Sequence, residues 1–530
     1  MYSTAGALIE RAVVPRIDSG LSHSPTRYWQ IVTTLWRVLD HEPVPDFGAY
    51  QAAGGGAGLE AATRLGPAAT INEVDAAGLR GRGGAGFPTG RKWRTVAQNR
   101  SPALPSTVVV NASEGEPGSF KDRTLMRRNP YRLIEGALIA AHAVGANGVI
   151  FATKASFHIE LHRLQSALDE CRKGWDKDRA AGGARDIEFF VVEGPSEYLY
   201  GEETALLEVV DGRAPFPRIA PPYRHGVDDV GEDPVSGARV AMSGPGGDSA
   251  APPTLVNNVE TLASVPGILA SGADWYRSLG TEASPGTVVC TVSGATRRHG
   301  VGEFPMGTPL GEVIEALGGG PAQGRVTAVL SGAAHPLIPG TQLDVPISYE
   351  AMEEIGSGLG AAGFIVFDES SDLAAAVAGV SRFLAVESCG QCTPCKEDGL
   401  ALADLLDRVC RSEEATEHDL EEIADHWQTV ADESRCYLAT QHQRVVGSLL
   451  SLFPDAMRAH LEGAPAVEPM LIAPIVDIRG GRARLDERHR AKQPDWSFDE
   501  TYSGQSPADR LDQRLAVAIE EGEAEAATSS

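Results

Sequence analysis

An α/β protein of several domains is what this sequence predicts, and three observations carry the prediction. The chain has 530 residues, more than one hydrophobic core accommodates. From about residue 76 to 270, the apolar runs "TVVVNA", "GVIFAT" and "IEFFVVEG" alternate with helix-like segments such as "NPYRLIEGALIAAHAV". This is the pattern of strands buried on both faces of a sheet covered by helices. From 371 to 463 helical spacing takes over around a tight group of cysteines, which predicts a helical bundle.

The lead-in, residues 1–75, has no cysteine, and its "SPTRYWQIVTTLWRVLD" predicts a helix with Ser24 as N-cap and Pro25 in the first turn. Tyr28, Trp29, Val32, Leu35, Trp36 and Leu39 recur at helical spacing, a stripe that either packs on the main body or offers a docking surface. In the α/β region, "EGALIAAHAVGANGVIFA" is the most apolar long stretch, but His142, Gly145, Asn147 and Gly148 break it. It reads as a helix end followed by a buried strand, so no membrane span is expected. Residues 224–253, rich in Gly, Pro, Ser and Asp, read as a long surface loop. Within 271–370, "GTVVCTVSG", "RVTAVLSG" and "GFIVFDE", with a helical "LGEVIEAL", predict a small β-grasp-like domain. The extension 464–530 holds a β-like "LIAPIVDIRGGRARLDE" and an acidic, Ala-rich end whose last ten residues are expected to be disordered.

Lys plus Arg number 46 against 72 Asp plus Glu, a net charge of −26 that argues against nucleic acid or anionic lipid as partners. Glu10 and Arg11 interrupt any apolar core at the N-terminus before it reaches signal-peptide length, so no export signal is read and a cytoplasmic protein is expected. The seven cysteines are Cys171, Cys290, Cys389, Cys392, Cys395, Cys410 and Cys436. Three of them inside seven residues favour metal or cluster ligation in a reducing cytosol over a disulfide framework.

"ESCGQCTPCKEDG" places Cys389, Cys392 and Cys395 at CxxCxxC spacing, and Cys436 lies in the same helical region. Three thiolates on a tight turn with a fourth from another segment suit a 4Fe-4S cubane; the same four would also satisfy tetrahedral zinc. Cys410 is an alternative fourth ligand, although its place after "LALADLLDRV" suits a core thiol. "GLRGRGGAGFPTGRKW", residues 78–93, has glycines that let backbone N–H groups face an anion, with Arg82 and Lys92 adding charge. A Gly-rich surface loop with incidental basic residues is the plainer reading, and neither GxGxxG after a strand nor a P-loop occurs here. "SEYLYGEETALLE" and "TLVNNVETL" contribute Glu202, Glu203, Asn257 and Asn258, groups that serve either as caps or at a flavin edge.

Taken in order, "GLRGRGGAGFPTGRKW", "GEPGSFKDR", "GEETALLE", "VNNVETL" and "ESCGQCTPC" resemble the NADH-binding flavoprotein subunit of respiratory complex I. The same module recurs in NAD-dependent formate dehydrogenases and NAD-reducing hydrogenases, and the resemblance spans about residues 70–460. It implies a Rossmann-like FMN-binding domain, a β-grasp domain like a soluble-ligand-binding module, and a helical bundle carrying a 4Fe-4S iron-sulfur cluster. By position, Gly81, Arg82, Gly83, Gly84, Gly86 and Lys92 would contact FMN, with Asn111 and Glu114 at its polar edges. Tyr198, Gly201, Glu202 and Glu203 would line the flavin pocket and Asn257, Asn258 and Thr261 complete it. Phe87 and Tyr223 would stack on NAD(H), and Glu116 would lie beside the bound dinucleotide as the catalytic-site carboxylate. Cys389, Cys392, Cys395 and Cys436 match the cluster ligands.

The resemblance implies an electron-input oxidoreductase subunit: hydride passes from NADH to FMN, then single electrons pass to the cluster and a partner, or the reverse with NAD reduced. An FMN/4Fe-4S electron-relay or scaffold subunit using a different donor, or with nucleotide binding lost, is the alternative. The chain has Ser113 for a usual Asp, Lys154 and Ser156 for a usual Arg and Glu, and Ala220 for a usual Lys. The N-terminus has no cysteine-bearing thioredoxin-like portion. The expected partners are therefore a small 2Fe-2S thioredoxin-like subunit and a larger iron-sulfur or catalytic subunit, through which membrane association would come.

Overall fold

The computed structural model describes residues 36–100, 106–179, 187–223, 226, 253–411 and 415–511. Most of the helix predicted from Ser24, nearly all of the 224–253 loop and the last ten residues lie outside these. The described end of that helix, Trp36 to Leu39, is irregular rather than helical. The amides of Arg37, Val38 and Leu39 each donate to Glu303 Oε2 at 3.0 Å. One buried carboxylate thereby takes the donors that a helical turn would need.

The lead-in then forms three helices, α1 (Phe47–Ala52), α2 (Ala57–Leu65) and α3 (Pro67–Ala76), and α4 (Thr89–Gln98) follows the Gly-rich loop. Strands β1 (Ser106–Ala112), β2 (Ala146–Lys154), β3 (Glu188–Gly194) and β4 (Thr254–Asn258) make a parallel sheet in the order β3-β2-β1-β4. Helices α5 (Lys121–Arg128) and α6 (Pro130–Val144) link β1 to β2, α7 (His158–Arg179) links β2 to β3, and α8 (Glu203–Val210) precedes β4. α6 begins with the Asn129 side chain accepting from Arg132 N–H and Pro130 in its first turn, and ends at Gly145 with φ +72°. The chain then enters β2 directly, as the broken apolar stretch predicts. The expectation of strands buried on both faces needs one correction: β3 is an edge strand, with Phe190 exposed. After β4 come α9 (Val259–Ser271) and α10 (Ala273–Arg277).

The next unit is a mixed sheet of β5 (Thr287–Gly294), β6 (Gly300–Pro305), β7 (Val326–Ser331), β8 (Ile338–Pro339) and β9 (Gly363–Asp368), ordered β6-β5-β9-β7-β8. Helix α11 (Leu310–Gly318) buries Leu310, Val313, Ile314 and Leu317, at helical spacing, in its core. A short α12 (Tyr349–Glu354) follows. Helices α13 (Leu373–Glu387), α14 (Thr393–Arg411), α15 (Glu417–Thr429) and α16 (Leu438–Leu452) form the bundle, and α17 (Pro454–Leu461) closes it. The hairpin β10 (Ile475–Arg479) and β11 (Arg482–Leu485) then returns to the first unit, where Ile475 and Ile478 join the core. Among the described residues no helix is long and apolar enough to cross a membrane.

Candidate functional site

In the parallel sheet the chain runs from β1 outward to β2 and β3, then returns to β4 on the other side of β1. Such a reversal opens a crevice at the carboxyl ends of the two diverging strands, where α/β folds place ligands. Here Asn111 of β1 pairs in register with Asn258 of β4, and the loop 80–88 lies against Asn258, whose Cβ would be 3.3 Å from a Cβ on Gly83. The loop is closed by Gly81 N–H to Phe87 O (2.8 Å) and Thr89 N–H to Leu79 O (2.9 Å). It is pinned to the sheet by Arg82 N–H to Thr261 Oγ1 (2.8 Å).

The next two amides, of Gly83 and Gly84, have no hydrogen-bond partner among the described residues. A Cβ on Gly84 would meet nothing nearer than 3.9 Å, and one on Gly201, across the crevice, nothing nearer than 3.8 Å. Both positions lie at ordinary van der Waals distance from protein, and glycine backbone with unpaired N–H donors suits an anionic phosphate. Lys92 stands at its rim, Nζ 2.6 Å from Glu203 Oε1, both partly exposed. Gly86 serves another purpose: its φ is +63° and a Cβ there would lie 2.5 Å from the Tyr349 ring.

Several polar groups at this edge are spoken for within the chain. The Arg82 guanidinium is buried and donates to the carbonyls of Arg80, Pro285 and Thr287 and to Tyr276. Its charge therefore does not face a phosphate, and its part is to hold the loop through the adjoining backbone. Glu114 accepts from Ser119 Oγ (2.6 Å) and from the amides of Lys121, Asp122 and Arg123, capping α5. Glu202 caps α8 through Thr204 and Ala205. Asn257 accepts from the Trp93 indole (2.8 Å), and Asn258 donates to Asp122 (2.6 Å) while capping α9. Asn111 donates to Gly201 O (2.9 Å). These side chains shape the crevice by fixing its backbone.

Glu116 sits where the β-grasp unit meets the sheet. Its carboxylate accepts from the Tyr198 hydroxyl (2.5 Å) and from Ala333 N–H (2.6 Å). Burial pushes its carboxyl up to about 7 against the pull of those donors. The Phe87 ring is about half exposed nearby in the loop. Tyr223 packs against the core of the α/β unit, and the preceding Pro222 carbonyl accepts from Thr254 N–H at the amino end of β4.

A 3-10 turn, Tyr198–Gly201, separates this crevice from a second chamber. Gly201 and Tyr198 face the crevice partners just described, whereas Leu199 lines the chamber with Pro217, Cys389, Cys392, Cys395 and Cys436. Ser388 Oγ lies 3.3 Å from Cys395 Sγ, and the Arg435 amide donates to Cys392 Sγ at 3.4 Å. Cys395 is in the first turn of α14, where the helix N-terminus favours negative charge. Burial raises the Cys395 thiol to about 11 and the Cys436 thiol to about 12. Among the described residues no three His, Cys, Asp or Glu groups close on a single metal ion. Four thiols line one chamber, the donor set that a 4Fe-4S cubane takes. Cys410 is fully buried in the bundle core, away from the chamber.

Three features here escaped sequence reasoning. Tyr349 donates to Gly81 O (2.7 Å) and lies 4.2 Å beneath the Arg80 guanidinium, which locks the Gly-rich loop from the β-grasp side. Ala333 supplies a backbone donor to Glu116, which no side-chain pattern could signal. Glu387, directly before the cysteine motif, accepts from Tyr198 N–H (2.9 Å); a charged residue closing an apolar helical run was the available hint.

Two family models match: the Nuo51 FMN-binding domain over residues 74–267 and the NADH-ubiquinone oxidoreductase-F iron-sulfur binding region over 375–460. The F subunit of NADH-quinone oxidoreductase from Mycobacterium bovis is 35% identical over 460 residues, covering 85% of this chain and 97% of that one. Its counterpart in Aquifex aeolicus is 37% identical over 428 residues, covering 80% and 94%. Among solved structures, an NAD+-reducing [NiFe]-hydrogenase in the H2-reduced state aligns with a TM-score of 0.67 at 33% identity, covering 81% of this chain and 67% of that chain. FMN and a 4Fe-4S cluster are thus the cofactors of this chain. The chain belongs to the family of NADH-quinone oxidoreductase F subunits.

Proposed function

We propose that this chain takes electrons from NADH at the crevice and delivers them singly through the thiol chamber to a partner subunit. The flavin supplies the conversion of a two-electron donor into a one-electron chain, and reversal would reduce NAD. The observation that carries the reading is the turn Tyr198–Gly201, one wall shared by both sites. The loop 80–88 and Gly201 offer bare backbone to the phosphate and ring, and Lys92 adds charge at the rim. Glu116, Phe87 and Tyr198 border the dinucleotide side, where Glu116 orders the Tyr198 hydroxyl against the β-grasp unit. Cys389, Cys392, Cys395 and Cys436 would hold the cluster, and Leu199 lines the same chamber. The partners that fit are a small 2Fe-2S thioredoxin-like subunit and a larger iron-sulfur or catalytic subunit, in the cytoplasm or on a membrane through them. Anaerobic titration with NADH tests the donor. Flavin bleaching is expected; an oxidised spectrum that dithionite reduces but NADH does not would overturn it.

A further inference from the structure

We propose that Lys492 is a positioning residue for electron transfer between the two cofactor sites, acting through Glu387 on the turn Tyr198–Gly201. The inference rests on the reading above, that electrons cross this turn.

Lys492 comes from the segment that follows β11, far from both sites in sequence, yet its ammonium is buried and lies 2.6 Å from Glu387 Oε1. Glu387 is the last residue of α13 and is itself buried; its other oxygen accepts the amide of Tyr198 at 2.9 Å. One carboxylate thus has its two oxygens committed in different directions, to the C-terminal segment and to the first residue of the shared wall. From that wall Tyr198 reaches Glu116, and the adjacent Leu199 lines the thiol chamber.

The segment carrying Lys492 is held firmly. Arg382 donates to the carbonyls of His489 (3.0 Å), Arg490 (3.1 Å) and Lys492 (3.2 Å). The Trp496 indole donates to Val386 O at 3.1 Å, capping α13, and Ala508 N–H donates to Cys389 O at 3.0 Å. Lys492 therefore has a fixed base from which to orient Glu387. A buried ion pair is a poor source of stability, because desolvation cancels most of its attraction. What it does provide is direction, since Glu387 cannot turn without giving up the Lys492 ammonium or the Tyr198 amide. With FMN and a 4Fe-4S cluster bound, the two electrons brought by one hydride would cross this wall singly, and the one proton that came with them would go to solvent. Lys492 and Glu387 gain and lose nothing.

The test uses the full chain in its cofactor-loaded complex, mixed rapidly with NADH, with flavin and cluster absorbance followed separately. Lys492→Met, at equal FMN and iron content, is expected to slow cluster reduction relative to flavin reduction by about 10-fold to 100-fold, the scale on which an ångström of misplacement acts. Lys492→Arg, which keeps the charge, should restore most of the ratio. If Lys492→Met does not accumulate, pairing it with Glu387→Gln strands no charge and keeps an acceptor for Tyr198; the ratio should still fall. An unchanged ratio in the single or the double variant overturns the proposal. Should NADH fail to reduce the wild-type flavin, the donor assignment fails by itself. Photoreduction of the flavin with EDTA then measures the same ratio and decides the role of Lys492 independently.

Discussion

The two sites on either side of the turn Tyr198–Gly201 are built by opposite means. In the thiol chamber, side chains make the site: four sulfurs and a few apolar groups converge, and the backbone only carries them. In the crevice, backbone makes the site, and the charged and amide side chains around it are mostly bound to backbone groups of the chain. The difference follows from the ligand. A cluster is held by covalent bonds to thiolates, whereas a flavin needs close approach of backbone donors to phosphate and an unobstructed face.

The contrast between the sites breaks most sharply at the cysteines. Cys392→Ala should abolish the paramagnetic signal of the reduced cluster, whereas Cys410→Ala should leave it intact, because Cys410 is packed in the bundle core. Electron paramagnetic resonance with iron analysis reads both. On the crevice side, Gly201→Ala should leave the fold unchanged, since its Cβ would be 3.8 Å from the nearest protein atom. It should weaken FMN binding by about tenfold, the scale of overpacking a filled site by one methyl, as measured by fluorescence titration of the apoprotein.

A smaller effect concerns Glu116. The folded chain holds its carboxyl at about 7 because of burial, against 4.5 as the ordinary value. The folded state therefore binds more protons than the unfolded state between those values, and the group's contribution to stability falls as pH rises through that window. The thermal unfolding midpoint should drop from pH 5 to 7.5, and Glu116→Gln should flatten that slope. The smallest effect is expected at Tyr223. Placed at the amino end of β4, its replacement by Ala should change the KM for NADH by no more than about twofold, the usual scale for a residue away from a site. A larger change would put Tyr223 back at the dinucleotide.

The sequence made the thiol site almost wholly legible, because three of the four cysteines that line it fall within seven residues and side-chain identity is what ligation requires. The parallel sheet was legible for the same kind of reason: β1 and β2 are buried on both faces and so read as unbroken apolar runs. The crevice was legible only as a location. That Arg82 turns inward depends on carbonyls at Pro285 and Thr287, about two hundred residues away. That the stripe ending in Trp36 and Leu39 is not helical there depends on Glu303, whose burial no local pattern announces. Gly86 looked like its neighbours, yet it is glycine because Tyr349 occupies the space its side chain would take. Contacts that distant cannot be read from spacing.

Rapid anaerobic mixing of the loaded complex with NADH tests most directly whether one turn joins an NADH-reducible flavin site to a one-electron cluster site. Flavin absorbance should fall first and cluster absorbance follow, with the reduced-cluster paramagnetic signal growing alongside the second phase. Flavin bleaching with a cluster that stays oxidised, though chemically reducible, would contradict that join.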